Sequence, residues 1–329
     1  MRLPKLRLQA RICDALPQNY YERTALMGKI VAIGANVIDT IAVLPTYPKE
    51  DTKMRAGRFM QSGGGPAATG VVAAAKLGAK ASFIGNAAND SGGAFLLNDF
   101  KRFSVDTSLI SVLDGYRSFA SQIWLSEDKS ARTCVFDKGD LPPLELNDEH
   151  IAAIEQADVL MVDGNELEAA IAAAKAANRS KTLVLYDAGG LYEGVERLVP
   201  LVDILIPSKE FACGFTGETN PAAAAKKLYD AQNARVVVVT CGKDGGIMYD
   251  GDSMQTYRAY PANVVDSNGA GDVFHGAFAA ALTYGYDYIG CCNFASAASA
   301  LKCEKVGARD AVPSKDEVLK LLEKCGVTL

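Results

Sequence analysis

The segment Asp266–Gly276, DSNGAGDVFHG, runs a Gly-Ala-Gly turn straight into a helix of small residues that carries an acid near its start. With no side chain blocking the approach at Gly269 and Gly271, successive backbone N–H groups can converge on an anion, and the helix dipole reinforces them. Asp272 falls in the first helical turn, where the dipole favours the ionised carboxylate. A carboxylate so placed can orient a hydroxyl and accept its proton during phosphoryl transfer. The same G-x-G-D pattern also serves as a plain helix cap with close packing, and short glycine motifs alone are weak signals. Its position adds weight: the loop follows the last β-prone segment, and open parallel sheets bind ligands beyond the carboxyl ends of their strands.

A second loop, Thr240–Gly246 (TCGKDGG), follows an apolar strand and offers a hydroxyl, backbone donors and Lys243; an ordinary glycine-rich turn has the same composition. Asp39 interrupts an apolar stretch and reads equally as a turn or edge carboxylate. His275 lies three residues beyond Asp272 on a neighbouring helical face, and packing is its expected role.

These residues need a scaffold that brings strand ends together. Strands at Val159–Val162, Thr182–Tyr186, Asp203–Ile206 and Arg235–Thr240 alternate with helices at Leu167–Ala177 and Ala222–Asp230, which implies parallel βαβ units and an α/β fold. Before them, Lys29–Gly34 and Ile38–Val43 read as strands. Ser62–Pro66 reads as a flexible loop, and Pro66 opens a helix over Ala67–Leu77. Phe119–Leu125 and Ala131–Phe136 form a hairpin outside the βαβ rhythm, exposing Phe119, Ile123, Trp124 and Val135 to cover a substrate or partner. Three helices, Gly271–Tyr284, Asp287–Lys302 and Lys315–Lys324, close the chain.

Composition narrows the function classes. The 329 residues are 49% apolar with a formal charge of −5, which supplies a large core but no basic field for nucleic acid. No stretch approaches the roughly 20 apolar residues of a membrane span, and the first 27 residues lack the uninterrupted apolar run of a secretory signal. Eight cysteines without a C-x-x-C pair, and only His150 and His275 to help bind zinc, fit a reduced cytoplasm. Residues 1–28 read as a peripheral extension and residues 29–329 as one domain. Gly34-Ala35-Asn36-Val37-Ile38-Asp39 lacks the G-x-G-x-x-G that a nicotinamide-dependent dehydrogenase requires after its first strand.

Taken in order, Gly63–Gly78 (GGGPAATGVVAAAKLG), Thr240–Gly245 and Val265–Gly276 (VDSNGAGDVFHG) resemble the ribokinase or PfkB family of carbohydrate kinases over about residues 28–325. The resemblance implies a three-layer α/β sandwich around a mainly parallel sheet, with a small β-lid drawn from about 38–60 and 117–137. It implies phosphorylation of a sugar hydroxyl by ATP with Mg2+, Asp272 acting as base and Gly269, Ala270 and Gly271 as the anion hole. Thr240, Gly242 and Gly245 fall on the implied nucleotide loop, and Asp39, Gly64, Gly65 and Thr69 on the sugar site. A monovalent cation such as K+ is implied beside the anion hole, near Asp266, Ser267 and the segment Gly307–Arg309, and a homodimer through the lid is a further expectation.

Departures from the family pattern matter. Thr69 stands where many members have Asn, and Ser208-Lys209-Glu210-Phe211 replaces an N-x-x-E motif near the metal and phosphate site, with Glu210 one position off. Motif detail, including Ala300–Cys303 (ALKC), is similar to sulfofructose kinases, but Phe136 and Gly164 occupy the positions expected to bind a sulfonate, so the sulfosugar is not carried over. A nucleoside kinase is the alternative within the enzyme class. A catalytically silent ligand-binding protein of the same fold is the alternative outside it.

Overall fold

The structure, a computed structural model, describes residues 28–128, 131–232 and 234–329. The expected extension lies outside the described residues except for Gly28, which is buried and whose carbonyl accepts the Lys80 N–H at 2.8 Å. In chain order the elements are β1 (Lys29–Ile33), β2 (Val37–Leu44), β3 (Arg58–Gly64), α1 (Pro66–Lys76), β4 (Lys80–Ala88), α2 (Ser91–Arg102), β5 (Val105–Asp106), β6 (Ile110–Leu113), β7 (Ala120–Ser126), β8 (Ala131–Asp137), α3 (Asp148–Glu155), β9 (Val159–Val162), α4 (Leu167–Ala177), β10 (Leu183–Ala188), β11 (Ile204–Pro207), α5 (Lys209–Thr216), α6 (Pro221–Ala231), β12 (Val236–Thr240), β13 (Gly246–Tyr249), β14 (Met254–Tyr257), α7 (Ala270–Thr283), α8 (Tyr288–Cys303) and α9 (Lys315–Lys324).

The main sheet runs β14-β13-β12-β11-β10-β9-β1-β4-β5, with β6 also on β4, and is parallel from β12 to β5. Its central strands read as unbroken apolar runs because helices cover both faces. Ile30, Val159, Met161, Leu185, Ile206 and Val238 face α1, α7, α8 and α9. Their strand neighbours Val31, Leu160, Val184, Leu205 and Val237 face α3, α4, α5 and α6. This is the three-layer α/β sandwich with a mainly parallel sheet that the resemblance implies.

Small residues bring α1 and α7 into backbone contact. A Cβ on Gly276 would run into the carbonyl of Gly70, so only glycine permits this crossing. The contact fixes α7, and with it Asp272, against the start of α1.

A second sheet, β3-β2-β7-β8, stands off the first: β2 pairs parallel with β7, and the other two pairs are antiparallel. The Phe119–Phe136 hairpin therefore forms, but Ile123 is buried rather than exposed. Ser62–Gly64, expected as a loop, is the end of β3, where pairing with Asp39, Ile38 and Val37 overrides the weak strand preference of glycine. Only Gly65, with φ of 93°, makes the turn into α1. Helices α3 and α5 and the short strands β5 and β6 were not anticipated; α5 is announced only by its Ser208 cap, whose Oγ accepts the Phe211 N–H at 3.0 Å.

Candidate functional site

Asp39 lies in mid-strand on β2, not at a turn. Its cross-strand partners Ser62 and Ser121, and Phe136 beyond Ser121, share its side of the sheet. Ser121 Oγ donates to Asp39 Oδ1 at 2.6 Å. Gly64 closes on the same carboxylate so tightly that any Cβ would overlap it. Burial raises the Asp39 pKa, opposed by the Ser121 hydrogen bond and the Arg309 charge.

Behind the diglycine sits a fully buried arginine. Arg309 donates to Asp99 Oδ2 at 2.9 Å, to Asn36 Oδ1 at 2.7 Å and to the Gly64 carbonyl at 2.6 Å, with its guanidinium over the Phe100 ring. Gly63 is the residue that leaves room for it. Arg309 thus ties the end of β3 to α2.

At the other sheet, α7 is capped by Gly269, whose φ of 76° is left-handed and natural for glycine. The Ala270 N–H is engaged with the Ser267 carbonyl at 3.2 Å, so the first-turn N–H groups of Gly271 and Asp272 are the donors that α7 cannot satisfy internally. Gly271 is exposed, with open space where a side chain would project. Thr69, expected at the sugar, is wholly enclosed: its Cγ2 packs near Gly269 and its hydroxyl has no hydrogen-bond partner.

The Asp272 carboxyl differs from the dipole-based expectation. Burial, and then the charge of Asp187, push its pKa up to about 7, outweighing the attraction of His275 and Arg132. Asp187 is the next-to-last residue of β10 and Asp163 follows β9, the adjacent strand; burial raises both pKa values, and Asp163 adds to the rise at Asp187. Asp163 nevertheless has a structural task, accepting the N–H groups of Ala35, Ala67 and Asn165 at 2.9–3.0 Å and so joining β1 to the start of α1. His275 is buried, with Nδ1 2.6 Å from the Gly271 carbonyl and 3.1 Å from Asp187 Oδ2, and Nε2 3.0 Å from the Ile206 carbonyl. It packs, as expected, and also pins the first turn of α7 to β10 and β11.

Thr240 ends β12, two strands along from β10, and bridges to Ser208. Gly242 and Gly245 both have positive φ, 57° and 78°, and a Cβ on Gly245 would strike the Tyr257 carbonyl. Glu210 is exposed in the first turn of α5, close enough to the Thr240 loop to influence Cys241. Across the site, Arg132 of β8 donates to Asn268 Oδ1 at 2.6 Å, joining the second sheet to the glycine loop.

Sequence reasoning missed Asp163, Asp187, Arg132 and the roles of Arg309 and Lys302. The two aspartates carry a usable signal, since each directly follows a run of apolar residues, in VLMVDG and LVLYDA. Among the described residues no group of three or more His, Cys, Asp or Glu could hold a metal, no helix is long and apolar enough to cross a membrane, and every cysteine is free.

Comparison with known proteins gives one consistent result. Residues 27–315 match the family model described as pfkB family carbohydrate kinase. The chain is 26% identical to a bifunctional ribokinase/ribose-5-phosphate isomerase A of Fructilactobacillus sanfranciscensis, matching over 92% of its own length but only 57% of that longer protein. It is 27% identical to a 5-dehydro-2-deoxygluconokinase of Halalkalibacterium halodurans, over 90% of this chain and 94% of the relative. Among solved structures, Arabidopsis thaliana ribokinase complexed with ribose and ATP superposes with a TM-score of 0.80 at 25% identity, covering 91% of this chain and 99% of that one. A family match spanning nearly the whole described chain, on a ribokinase fold, places the protein in the pfkB family of carbohydrate kinases, phosphotransferases that act on an alcohol group.

Proposed function

We propose that the protein transfers the γ-phosphoryl group of ATP to a hydroxyl of a sugar or sugar-like molecule, with Asp272 as general base. The observation that carries this reading is a carboxyl of raised pKa in the first turn of α7, beside unsatisfied backbone N–H groups that open onto free space. A base with a pKa near the working pH combines proton affinity with a useful ionised fraction. The Gly271 and Asp272 N–H groups, with Gly269 shaping the turn, stabilise charge on the transferring phosphoryl group, and Ala270 joins them if its long bond to Ser267 opens. Asp39, held by Ser121, aligns acceptor hydroxyls, and Gly64 and Gly65 let the sugar approach the backbone. Thr69, enclosed under the glycine loop, supports that loop rather than touching sugar in this conformation.

The loop from Thr240 through Gly242 to Gly245 holds the nucleotide, its left-handed turns leaving the backbone uncovered. Mg2+ fits the residues present: it binds through one or two carboxylates with nucleotide phosphates and waters completing its shell, and Glu210 is an exposed carboxylate beside that loop. Bound there with ATP, Mg2+ would neutralise phosphate charge. The four-stranded sheet acts as the lid, its Asp39 face toward the acceptor and Arg132 latching it to Asn268. Its other face exposes Phe59 (69%), Trp124 (39%) and Val135 (64%), an apolar surface suited to a second copy of the chain. Free cysteines and use of ATP suit the cytoplasm.

One observation favours a nucleoside as acceptor instead. Phe136, 61% exposed, lies on the Asp39 side of the lid with Phe119 5.8 Å from it, an aromatic pair available to a planar base. ATP consumption across a panel of sugars and nucleosides, with product identification, tests both readings. Turnover of a sugar supports the first, turnover of nucleosides alone supports the second, and tight binding without turnover of either points to a silent relative. Light scattering tests the lid interface, where a strict monomer at high concentration removes it.

A further inference from the structure

Lys302 is completely buried, although lysine is among the residues least often enclosed without a charged partner. Its Nζ donates to the Asp266 carbonyl at 2.7 Å and lies 3.9 Å from Asp266 Oδ2. The same short loop is strapped to the end of α8 at several further points. The Cys303 carbonyl accepts the Val265 and Asp266 N–H groups at 2.8 and 3.1 Å. Ser299 Oγ donates to the Ala270 carbonyl at 2.8 Å, and the Asp266 carboxylate takes the N–H groups of Asn268 and Gly307 at 2.8 and 2.9 Å. The loop so held leads directly into Gly269, Ala270 and Gly271.

A main-chain carbonyl and a carboxylate facing one buried point make an oxygen environment of the kind that hard cations occupy. Here the positive charge is already present, on a side chain of the adjoining helix. The residues therefore do not fit the exchangeable K+ expected near Asp266 and Ser267, because the Asp266 carbonyl is turned to Lys302 and the Ser267 carbonyl to Ala270. We propose that the Lys302 ammonium is a built-in monovalent cation that sets the Asp266–Gly271 loop, so that this kinase works without added potassium. The covalent tether keeps the charge in place whatever the salt, whereas a free ion would occupy the site only in proportion to its concentration. Lys302 is thus a positioning residue: it acts on the transferring phosphate through the Asp266 peptide and the turn that follows. The proposal rests on the phosphotransfer reading only for its effect on rate.

The test compares wild type with Lys302→Met, which keeps the apolar stem, and with Lys302→Gln, which keeps a donor. Each is studied at one ionic strength in potassium, sodium or tetramethylammonium chloride, by thermal melting and by ATP-dependent turnover of the acceptor found in the panel. The expected result is a wild type whose melting midpoint and kcat are the same in all three salts. Lys302→Met should lose at least about tenfold in kcat in tetramethylammonium and regain much of it in potassium, with a parallel rise in melting midpoint. A wild type that needs potassium overturns the proposal, as does a folded Lys302→Met or Lys302→Gln that is equally active in every salt. Should neither variant fold, the wild-type comparison decides alone. The melting measurements need no turnover, so a wild type stabilised by potassium sinks the built-in cation even where the phosphotransfer reading has failed for want of a substrate.

Discussion

The main sheet and the lid sheet use strands of similar length yet are held in different ways. In the main sheet β9, β10, β11 and β12 are apolar on both sides and enclosed by helices, so every residue of β9 to β11 is buried. In the lid, β2 is largely buried while β8 is exposed along its whole length and meets the glycine loop through one arginine. A fully buried aliphatic side chain contributes about 1.5–3 kcal/mol, whereas an exposed hydrogen bond contributes about 0.5–1.5 kcal/mol. The difference teaches a division of labour. On the proposed function, phosphoryl chemistry, which needs fixed geometry, falls to α7 against the enclosed sheet, and acceptor recognition falls partly to the exposed second sheet.

The sharpest way to break that comparison is at the base. Asp272→Asn keeps the size of the side chain and its place in the helix but removes the proton acceptor, so kcat should fall about 10²- to 10⁴-fold with nucleotide affinity and melting midpoint little changed. A fall below about tenfold, or about 1.4 kcal/mol, would falsify the base assignment. With Asp272 as the proposed base, the ionised carboxylate is the form that accepts the proton, so kcat should rise with pH through about 7. Replacing the neighbouring charge by Asp187→Asn should move that rise to lower pH; an unmoved profile would mean that burial alone sets the pKa.

Next in size is a pair of glycines. Gly276→Val would drive a side chain into the Gly70 carbonyl where α1 crosses α7, and overpacking of this kind costs about 1–3 kcal/mol. Melting should drop by several degrees and turnover should suffer with it. Gly57, in the lid, has only the Val43 carbonyl near, at 3.7 Å, so Gly57→Ala should leave melting almost unchanged. Equal losses at both positions would contradict the contrast between the enclosed body and the exposed second sheet.

The smallest effect is expected at the latch. Arg132→Ala removes one exposed hydrogen bond to Asn268, so KM for the acceptor should rise by no more than roughly tenfold while melting stays put. A large loss of kcat with unchanged KM would instead place the guanidinium on the transferring phosphate. Steady-state kinetics at saturating ATP separate the two outcomes.

The sequence by itself determined the layered α/β body, since apolar strands such as VLMV and VVVV alternating with alanine-rich helices have few other ways to bury both faces. Local spacing also marked Asp272 and the Thr240 loop, because it specifies a glycine turn before a helix start or after a strand, whereas Asp39, Gly64 and Gly65 were singled out only by the family resemblance. Sequence reasoning misread Ser62–Gly64, where pairing with β2 outweighs composition, and the charge state of Asp272, where the dipole of one helix is local but burial by the surrounding elements, and then the Asp187 charge, raise the pKa. Only the tertiary structure joined Arg309 to Gly64 across 245 residues and set Lys302 under the Asp266 loop. Buried charges are chosen by what surrounds them in space, and that surrounding is assembled from segments that no spacing rule connects.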